Sequence, residues 1–210
     1  MKKIFIVDYG LGNIHSAQQS IKKVIEEENQ KAEVCVTDSA KDLHFATHII
    51  LPGQGAFASC MNGLKKIPGM IEELSENVLI QEKPFLGICV GMQLLANESY
   101  ENGKHKGLGW IEGSIKKLYG PNLKLPHMGW NNVEVRKNFP KMIFSKENKD
   151  FYFVHSYYFD CLNQKNVIGS TKYGLNFASI VGKENIYGVQ FHPEKSSVQG
   201  LQLIKDFLSI

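Results

Sequence analysis

The sequence predicts an α/β fold: a mostly parallel central sheet flanked by helices, with added antiparallel strands in the C-terminal half. In the first half of the chain, short and uniformly apolar runs alternate with stretches in which apolar residues recur at helical spacing. Strands that are apolar on both faces and separated by helices are typical of a parallel sheet covered on both sides. From Gly109 onward, short β-rich runs are separated by turn residues, which favours antiparallel pairing beside that sheet.

The first half is predicted to contain four strands and three helices. The strands cover residues 4–7, 33–36, 48–51 and 85–88. The first helix begins after Asn13, its predicted N-cap, and runs to about residue 29, because its apolar residues recur on one face. The second helix covers residues 61–80 and is broken near Pro68, and the third begins directly after Cys89.

The second half is predicted to add six strands and a terminal helix. The strands cover residues 110–118, 132–135, 152–159, 167–171, 177–181 and 186–191. The helix covers about residues 197–208. Because no internal repeat, low-complexity segment or linker interrupts the chain, we expect a single domain over residues 1–210.

The composition excludes several classes of function. The formal net charge is only +3 over 210 residues, with no clustered basic stretch, which argues against a nucleic-acid partner. No apolar stretch approaches the roughly 20 residues that cross a bilayer, so we expect no membrane association. The four cysteines show no paired spacing, which indicates reduced thiols and a cytoplasmic location.

Histidine spacing gives little support for a metal site. Four histidines, His15, His44, His48 and His105, occupy polar or boundary positions and are predicted to lie at the surface. His44 and His48 have the i, i+4 spacing of a helical metal pair, but the segment lacks the glutamate of H-E-x-x-H and His48 begins a strand. We therefore expect no metal site, and we expect no cofactor.

The most informative segment is Gly87-Ile88-Cys89-Val90-Gly91, which joins an apolar strand to a helical pattern. A nucleophile on such a tight strand-to-helix turn leaves little room for neighbouring side chains, and glycines meet that need. The N-terminus of the following helix also favours a thiolate. The alternative is a buried structural cysteine, which we expect for Cys35, Cys60 and Cys161. For Cys89, the flanking glycines favour a nucleophile.

A cysteine nucleophile needs a base, and the base needs an orienting group. His192-Pro193-Glu194 provides both at the end of an apolar strand. Glu194 can accept a hydrogen bond from one ring nitrogen of His192 while the other nitrogen faces the thiol. This tripeptide alone is also typical of a solvated turn. Together with the glycine-flanked cysteine, it predicts a catalytic triad of Cys89, His192 and Glu194.

Together, these two segments resemble the class I, or triad, glutamine amidotransferase family. The resemblance covers essentially the whole chain, because further matching segments follow in order at residues 8–13, 51–57, 125–131 and 152–157. The segments Asp-Tyr-Gly-Leu-Gly-Asn, Pro-His-Met-Gly-Trp-Asn and Phe-Val-His-Ser-Tyr are the more selective ones. They resemble the glutaminase subunits of imidazole glycerol phosphate synthase, which serve histidine biosynthesis.

The resemblance implies the chemistry of the site. Cys89 would attack the carboxamide carbon of L-glutamine, and His192 would carry the proton to the departing ammonia. The oxyanion would be held by the Val90 N–H and by an N–H of the loop formed by Gly53, Gln54 and Gly55. Gln54 departs from the family, in which valine is common at this position; because the relevant group is a backbone N–H, the change bears on activation rather than on the reaction.

The resemblance also implies how glutamine is bound and where the ammonia goes. Gln93 would lie beside the glutamine, Glu101 would hold its α-amino group, and the backbone of His155, Ser156 and Tyr157 would contact its α-carboxylate. A cyclase subunit, a (β/α)8 barrel, would form a heterodimer with this chain and receive the ammonia. Asn13, Trp130 and Lys195 match family positions at that interface. For Trp130 the alternative is ordinary core packing.

Three other interpretations stay open at this point. The chain resembles glutaminases of other synthases, such as those making anthranilate, aminobenzoate or pyridoxal phosphate, although residues 126–131 argue against these. A cysteine hydrolase or peptidase could use the same turn, although the separately placed His-Pro-Glu argues against it. A non-catalytic assembly subunit is the third, but all three triad residues are present.

Overall fold

The computed structural model describes residues 1–136 and 149–210. In these residues thirteen strands form one sheet. They are β1 (Lys2–Val7), β2 (Ala32–Thr37), β3 (His48–Gly53), β4 (Phe85–Cys89), β5 (Glu98–Ser99), β6 (His105–Lys106), β7 (Gly113–Lys117), β8 (His127–Val135), β9 (Lys149–His155), β10 (Tyr157–Cys161), β11 (Val167–Tyr173), β12 (Leu175–Lys183) and β13 (Ile186–Val189).

The first half of the chain builds a parallel sheet, as predicted. Its order is β2-β1-β3-β4-β13, and every neighbouring pair in it is parallel. Strands β1, β3 and β4 are buried over most of their length, which explains their uniformly apolar sequences. The last member, β13, comes from the far end of the chain and pairs in parallel with β4, so that Val189 lies opposite Ile88.

The second half of the chain adds the predicted antiparallel strands. β12 pairs antiparallel with β13, β10 with β12 and β7 with β10, and the short strands β5 and β6 lie beyond β7. On a side branch, β11 pairs with β12 and β8, and β8 pairs with β9. The predicted fold class, a mostly parallel sheet with added antiparallel strands, is confirmed.

In the described part of the chain, five α-helices accompany the sheet: α1 (Ile14–Glu27), α2 (Phe57–Lys66), α3 (Met70–Ser75), α4 (Val90–Gln93) and α5 (Ser197–Leu208). A π-helical turn, Glu76–Ile80, extends α3. Helix α1 packs against β2 and α5 and buries Ala17, Ile21 and Val24, which belong to its predicted apolar face. Among the described residues, no helix combines the length and the apolar character needed to cross a membrane.

Several predicted element boundaries were wrong. The strand predicted over residues 152–159 is two strands, β9 and β10, separated at Ser156. The strand predicted over residues 110–118 is confined to β7, the one predicted over residues 132–135 begins at His127, and the helix predicted from residue 61 begins at Phe57. The helix after Cys89 is a single turn. These boundaries follow tertiary pairing, which outweighs local propensity.

Two predictions about individual side chains were also wrong. Asn13 precedes α1, but its side chain makes no capping hydrogen bond, because its amide lies against Glu194 instead. His48, predicted at the surface, is 3% exposed. Its ring meets Phe207 edge-on at 5.4 Å between ring centroids, so this histidine begins its strand inside the core.

Candidate active site

Cys89, the predicted nucleophile, is the last residue of β4 and lies directly before α4. Its backbone has φ of +55° and ψ of −111°, a left-handed value that costs a non-glycine residue on the order of 1–3 kcal/mol. The residue is 4% exposed and lines a cavity. A strained, nearly buried thiol at the mouth of a cavity fits the predicted turn between strand and helix.

Close backbone packing explains why glycines flank this cysteine. A Cβ atom at Gly91 would lie 1.8 Å from the carbonyl oxygen of Leu51, in β3. A Cβ at Gly87 would meet the Gly91 carbonyl oxygen at 2.6 Å, and one at Gly53 would meet the Gly91 nitrogen at 2.5 Å. Strand β3, strand β4 and the start of α4 are therefore in backbone contact, and this contact holds the turn in place.

His192 reaches the same place because β13 lies beside β4. The two strands are parallel neighbours, so the chain leaves both at the same edge of the sheet. The His192 Nδ1 lies 2.9 Å from Glu194 Oε1, and their side chains are only 4% and 3% exposed. Since a carboxylate accepts, Nδ1 carries the hydrogen. Nε2 has no hydrogen-bond partner among the described residues and is available to the thiol or a substrate.

The protonation of His192 is set by two neighbours. Burial lowers the pKa of His192, but its interactions with the Cys89 sulfur and the Glu194 carboxylate outweigh burial and raise the pKa to about 10. The imidazole therefore holds a proton readily near neutral pH, and a positive charge beside a thiol favours the thiolate. Cys89, His192 and Glu194 together form an arrangement that can supply a nucleophile and a proton carrier.

The cavity above Cys89 has a volume of about 290 Å³. Almost all the residues predicted to bind glutamine line it; the lining consists of Gln54, Gly55, Cys89, Val90, Gln93, Glu101, Pro126, Val154, His155, Ser156, Tyr157 and His192. Two of the residues predicted for catalysis or glutamine binding do not line the cavity. Gly53 lies beneath it, paired in register with Cys89, and Glu194 lies behind His192.

The loop that follows β3 forms one side of the cavity. Its start is held by the Tyr9 hydroxyl, which donates to the Pro52 carbonyl oxygen at 2.7 Å. Burial raises the pKa of Tyr9 far above its usual range, so the phenol stays protonated and keeps donating. Further along, the Cys60 thiol donates to the Gln54 carbonyl oxygen at 3.5 Å, and Gly55 has φ of +97°, a conformation that favours glycine.

Two polar side chains form the other walls. Glu101 Oε2 accepts a hydrogen bond from the Phe57 N–H at 2.7 Å, at the first residue of α2, where a carboxylate is favoured. Gln93 Nε2 donates to the Tyr157 carbonyl oxygen at 3.1 Å and to Gln190 Oε1 at 3.0 Å. These contacts fix both side chains at the cavity before any ligand binds.

Comparison with known proteins agrees with this geometry. The family model for glutamine amidotransferase class-I matches residues 6–210. The chain is 43% identical over 209 residues to imidazole glycerol phosphate synthase subunit HisH of Rhodospirillum rubrum, with 98% of each chain covered. It is 41% identical over 213 residues to the subunit of the same name of Brucella suis, again with 98% of each chain covered. The chain belongs to the class I glutamine amidotransferase family.

Solved structures of other amidotransferases share the fold. One glutamine amidotransferase superposes with a TM-score of 0.70 at 18% identity, covering 98% of this chain and 97% of its own. A glutamine amidotransferase of Thermotoga maritima gives a TM-score of 0.61 at 19% identity, covering 99% of this chain and 83% of its own. The family model and the relatives confirm the predicted family resemblance and the prediction of an amidotransferase enzyme.

Two residues that support the site in this amidotransferase were not predicted. Gln190 is fully buried, and its Nε2 lies 3.8 Å from the Cys89 sulfur. Ser196 Oγ donates to the His192 carbonyl oxygen at 2.6 Å and accepts from the Tyr152 N–H at 3.0 Å. Gln190 could have been identified from the sequence, because it is a polar residue between apolar neighbours at the end of a strand. Ser196 could not, because a serine before a helix is common and indicates no catalytic role.

The three residues predicted at a subunit interface lie outside the cavity. Asn13 Nδ2 donates to Glu194 Oε1 at 3.4 Å. Trp130, in β8, is 54% exposed, so packing in the core of this chain is excluded for it. Trp130 meets the Tyr152 ring edge-on at 6.2 Å between centroids, and Lys195 Nζ lies 5.9 Å from the centroid of the same ring. Asn13 therefore contacts Glu194 directly, whereas Trp130 and Lys195 contact Tyr152, whose carbonyl oxygen accepts from the His192 N–H at 2.9 Å.

Among the described residues, no group of three or more histidine, cysteine, aspartate or glutamate side chains is placed to hold a metal ion.

Proposed function

We propose that this chain is the glutaminase subunit of imidazole glycerol phosphate synthase, acting as a single amidotransferase domain over residues 1–210. It hydrolyses L-glutamine to glutamate and ammonia for histidine biosynthesis. The observation that carries the proposal is that Cys89 and His192 line one cavity, with Glu194 bound to the His192 imidazole, in a chain that is 41–43% identical to proteins named as this subunit.

The first half of the reaction begins with attack of the Cys89 sulfur on the carboxamide carbon of glutamine. The carbon–nitrogen bond then breaks, and the departing nitrogen takes a proton from His192 to leave as ammonia. Glu194 holds the imidazole through Nδ1 at 2.9 Å, so that Nε2 points its proton at the leaving group. The product left on the enzyme is a γ-glutamyl thioester.

The second half hydrolyses this thioester. His192, now neutral, takes a proton from water, which attacks the carbonyl carbon. The carbon–sulfur bond then breaks, so that glutamate leaves and Cys89 and protonated His192 are regenerated. In both halves a negative charge develops on the carbonyl oxygen. The Val90 N–H, at the start of α4, and an N–H of the loop formed by Gly53, Gln54 and Gly55 would hold it. Losing one such donor typically costs about 3–4 kcal/mol of transition-state stabilisation.

The rest of the cavity recognises the amino acid end of glutamine. The Glu101 carboxylate would pair with the α-ammonium group, and the backbone of His155, Ser156 and Tyr157 would contact the α-carboxylate. The break between β9 and β10 at Ser156 supports this role for the Ser156 N–H, because a break in a strand can free an N–H from sheet pairing; the Ser156 carbonyl oxygen accepts from the Leu118 N–H at 2.9 Å. Gln93 donates through Nε2, so its Oε1 stays available to accept from the substrate.

The ammonia is used by a partner subunit. The name of the relatives, a synthase subunit, supports a partner of some kind, and we propose that it is a cyclase with a (β/α)8 barrel, forming a heterodimer in the cytoplasm. It would make imidazole glycerol phosphate and aminoimidazole carboxamide ribonucleotide. A neutral ammonia molecule is nucleophilic, whereas most ammonia in water at neutral pH is ammonium, so direct transfer between subunits protects it from protonation.

The surface next to the triad fits such a partner. Trp130 is exposed to 54% and Met128, two residues before it, to 63%. Lys195 adds a positive charge over the Tyr152 ring, which Trp130 also contacts. Exposed aromatic and methionine side chains are enriched where proteins bind each other. Because Asn13 contacts Glu194 at 3.4 Å, a partner that binds Asn13 would also touch the group that orients His192.

The decisive experiment separates glutamine hydrolysis by this chain from synthesis by the cyclase. In the complex with the cyclase, Cys89→Ala should abolish synthesis from glutamine, because no thioester can form. Synthesis from added ammonia by the same complex should continue at the wild-type rate, since the cyclase is untouched. Both rates are measured as product formation from the ribonucleotide substrate.

Cys161→Ala serves as the matched control. Cys161 is also buried, but it lies in β10 and its thiol donates to the Asn163 carbonyl oxygen, so glutamine-dependent synthesis should persist. Loss of both activities in a Cys89→Ala complex that still assembles would contradict the proposed division of labour, and so would retained glutamine-dependent synthesis.

A further inference from the structure

Gln190 is a buried amide next to the proposed nucleophile. Its side chain is 0% exposed, and its Nε2 lies 3.8 Å from the Cys89 sulfur, within reach of an N–H···S hydrogen bond. The residue directly follows β13, two positions before His192. Since β13 lies beside β4, the strand that carries the imidazole also brings an amide to the sulfur.

The orientation of this amide follows from its neighbours. The Tyr157 carbonyl oxygen can only accept, so the group of Gln93 that lies 3.1 Å from it must be the NH₂. The same NH₂ lies 3.0 Å from Gln190, so Gln190 must present its oxygen there. Its own NH₂ then faces the Cys89 sulfur. Three consecutive contacts therefore leave one arrangement in which both NH₂ groups donate to an acceptor.

The acceptor at the start of this chain is itself held. His155 Nδ1 lies 2.8 Å from the Tyr157 carbonyl oxygen, and its Nε2 lies 2.9 Å from His127 Nδ1. Because the carbonyl accepts from Nδ1, His155 must accept at Nε2, and His127 donates there. This chain of hydrogen bonds, which begins at His127 in β8, holds the Tyr157 carbonyl oxygen in place. That oxygen orients the Gln93 amide, which in turn orients the Gln190 amide.

We propose that Gln190 is a further catalytic residue, whose side-chain amide donates a hydrogen bond to the Cys89 sulfur and stabilises the attacking thiolate. A buried amide without a partner would be costly, and among the described residues the sulfur is the partner that the structure gives to Nε2. A hydrogen bond to the charged form of a group favours that form. The sulfur would then lie between two donors, the imidazole of His192 and the amide of Gln190. The proposal rests on the proposed function, which assigns the nucleophile to Cys89.

The test measures the ionisation of the thiol directly. The rate at which iodoacetamide alkylates Cys89 is followed against pH in the full chain without glutamine, with the modified residue identified by mass spectrometry. Gln190→Met keeps the length of the side chain but donates nothing, and it should move the midpoint of the profile upward by about one pH unit. Gln190→Glu keeps the shape but places a carboxylate beside the sulfur, so it should move the midpoint further.

Turnover in the synthase complex provides a second readout. The kcat for glutamine hydrolysis by Gln190→Met should fall about tenfold at pH 7 and recover as the pH rises past the new midpoint. A purely structural defect would not recover with pH. In unaltered protein, the ¹⁵N and ¹H shifts of the Gln190 side-chain amide should titrate together with the thiol, which tests the contact even if both variants fail to fold.

The outcomes are separable. Unchanged alkylation midpoints in folded variants, or a Gln190 amide signal that ignores the thiol titration, would overturn the role of Gln190. If the midpoints shift in the variants but the wild-type complex hydrolyses no glutamine, the proposed function is overturned and the hydrogen bond between Gln190 and Cys89 is still supported.

Discussion

At the scale of single residues, one residue type takes opposite protonation states within the same cavity. His155 and His192 both line the cavity and both are buried. Burial lowers the pKa of His155 to about 3, and its hydrogen bond to the Tyr157 carbonyl oxygen, which raises the pKa, only partly opposes this effect. His192 faces a carboxylate and a thiol, which raise its pKa to about 10. Of the two, His192 is therefore the one able to carry a proton near neutral pH.

The variant Glu194→Gln tests this difference. A neutral amide in place of the carboxylate cannot supply the negative charge that opposes burial, so the pKa of His192 should fall and the Cys89 thiolate should lose its cationic neighbour. The alkylation midpoint of Cys89 should therefore move to higher pH, and kcat for glutamine hydrolysis should drop about ten- to a hundredfold. Both quantities come from pH profiles of the variant complex. Glu112→Gln, which removes an exposed carboxylate, should change neither, and an unmoved midpoint in Glu194→Gln would refute the argument.

At the scale of elements, the turn after β4 depends on backbone contact with β3. Gly91→Ala places a Cβ atom only 1.8 Å from the Leu51 carbonyl oxygen, so α4 and β3 must move apart. We expect at least about 3 kcal/mol of lost unfolding free energy and no glutamine hydrolysis, because Cys89 lies between the two elements. Denaturant unfolding and a glutaminase assay provide the two measurements.

Gly10→Ala is the matched control for this prediction. Gly10 has φ of +82° but no atom within 4 Å of its added Cβ, so the substitution costs only backbone strain, about 1–2 kcal/mol. The control should therefore remain active. If Gly91→Ala were as stable and active as Gly10→Ala, the close approach of β3 and α4 would not be what holds the turn.

The sequence predicted these elements unevenly, for physical reasons. Strands β1, β3 and β4 are buried on both faces, so their apolar runs stand out. The break at Ser156 left no trace, because the residues around it are as aromatic as a continuous strand. Asn13 has the residue type of an N-cap, yet its amide contacts Glu194, a residue 181 positions away that local reasoning could not include.

At the scale of the whole molecule, the site depends on how a strand from the C-terminal half of the chain meets a strand from the first half. The glycine-flanked cysteine and the His-Pro-Glu segment could each be identified from sequence, but their distance in space is decided by sheet order. β13 leaves the antiparallel half, pairs with β12 on one side and joins β4 on the other. This insertion brings residues 89 and 192 to one edge, and sheet order cannot be deduced from local patterns.

The buried histidines make the stability of the whole fold depend on pH. His48, His127 and His155 are 3%, 3% and 6% exposed, and burial lowers their pKa values to about 4, 4 and 3. In the unfolded chain a histidine titrates near 6.5. As pH falls from about 6.5 to 4, the unfolded state gains protons that the folded state excludes, so the unfolding free energy should fall by up to about 1.4 kcal/mol per pH unit for each histidine.

His192 acts in the opposite direction and in another pH range. Its folded pKa of about 10 lies above the unfolded value, so the stability it adds is complete below about pH 6.5 and is lost as pH rises towards 10. Well below pH 6.5 it is protonated in both states and contributes almost no slope. Urea unfolding at pH 5.5, 5.0 and 4.5 should therefore isolate the three buried neutral histidines.

His48→Phe distinguishes this account from a general effect of acid. His48 Nε2 is buried without a hydrogen-bond partner among the described residues, and the ring already packs against Phe207, so phenylalanine should fit the site. As the pH falls, the unfolding free energy of His48→Phe should decrease less steeply than that of the wild type, by up to about 1.4 kcal/mol per pH unit, the slope of one proton. His15→Gln, which alters an exposed histidine, should keep the wild-type slope. Equal slopes in all three proteins would show that buried neutral histidines do not control the acid limit of this fold.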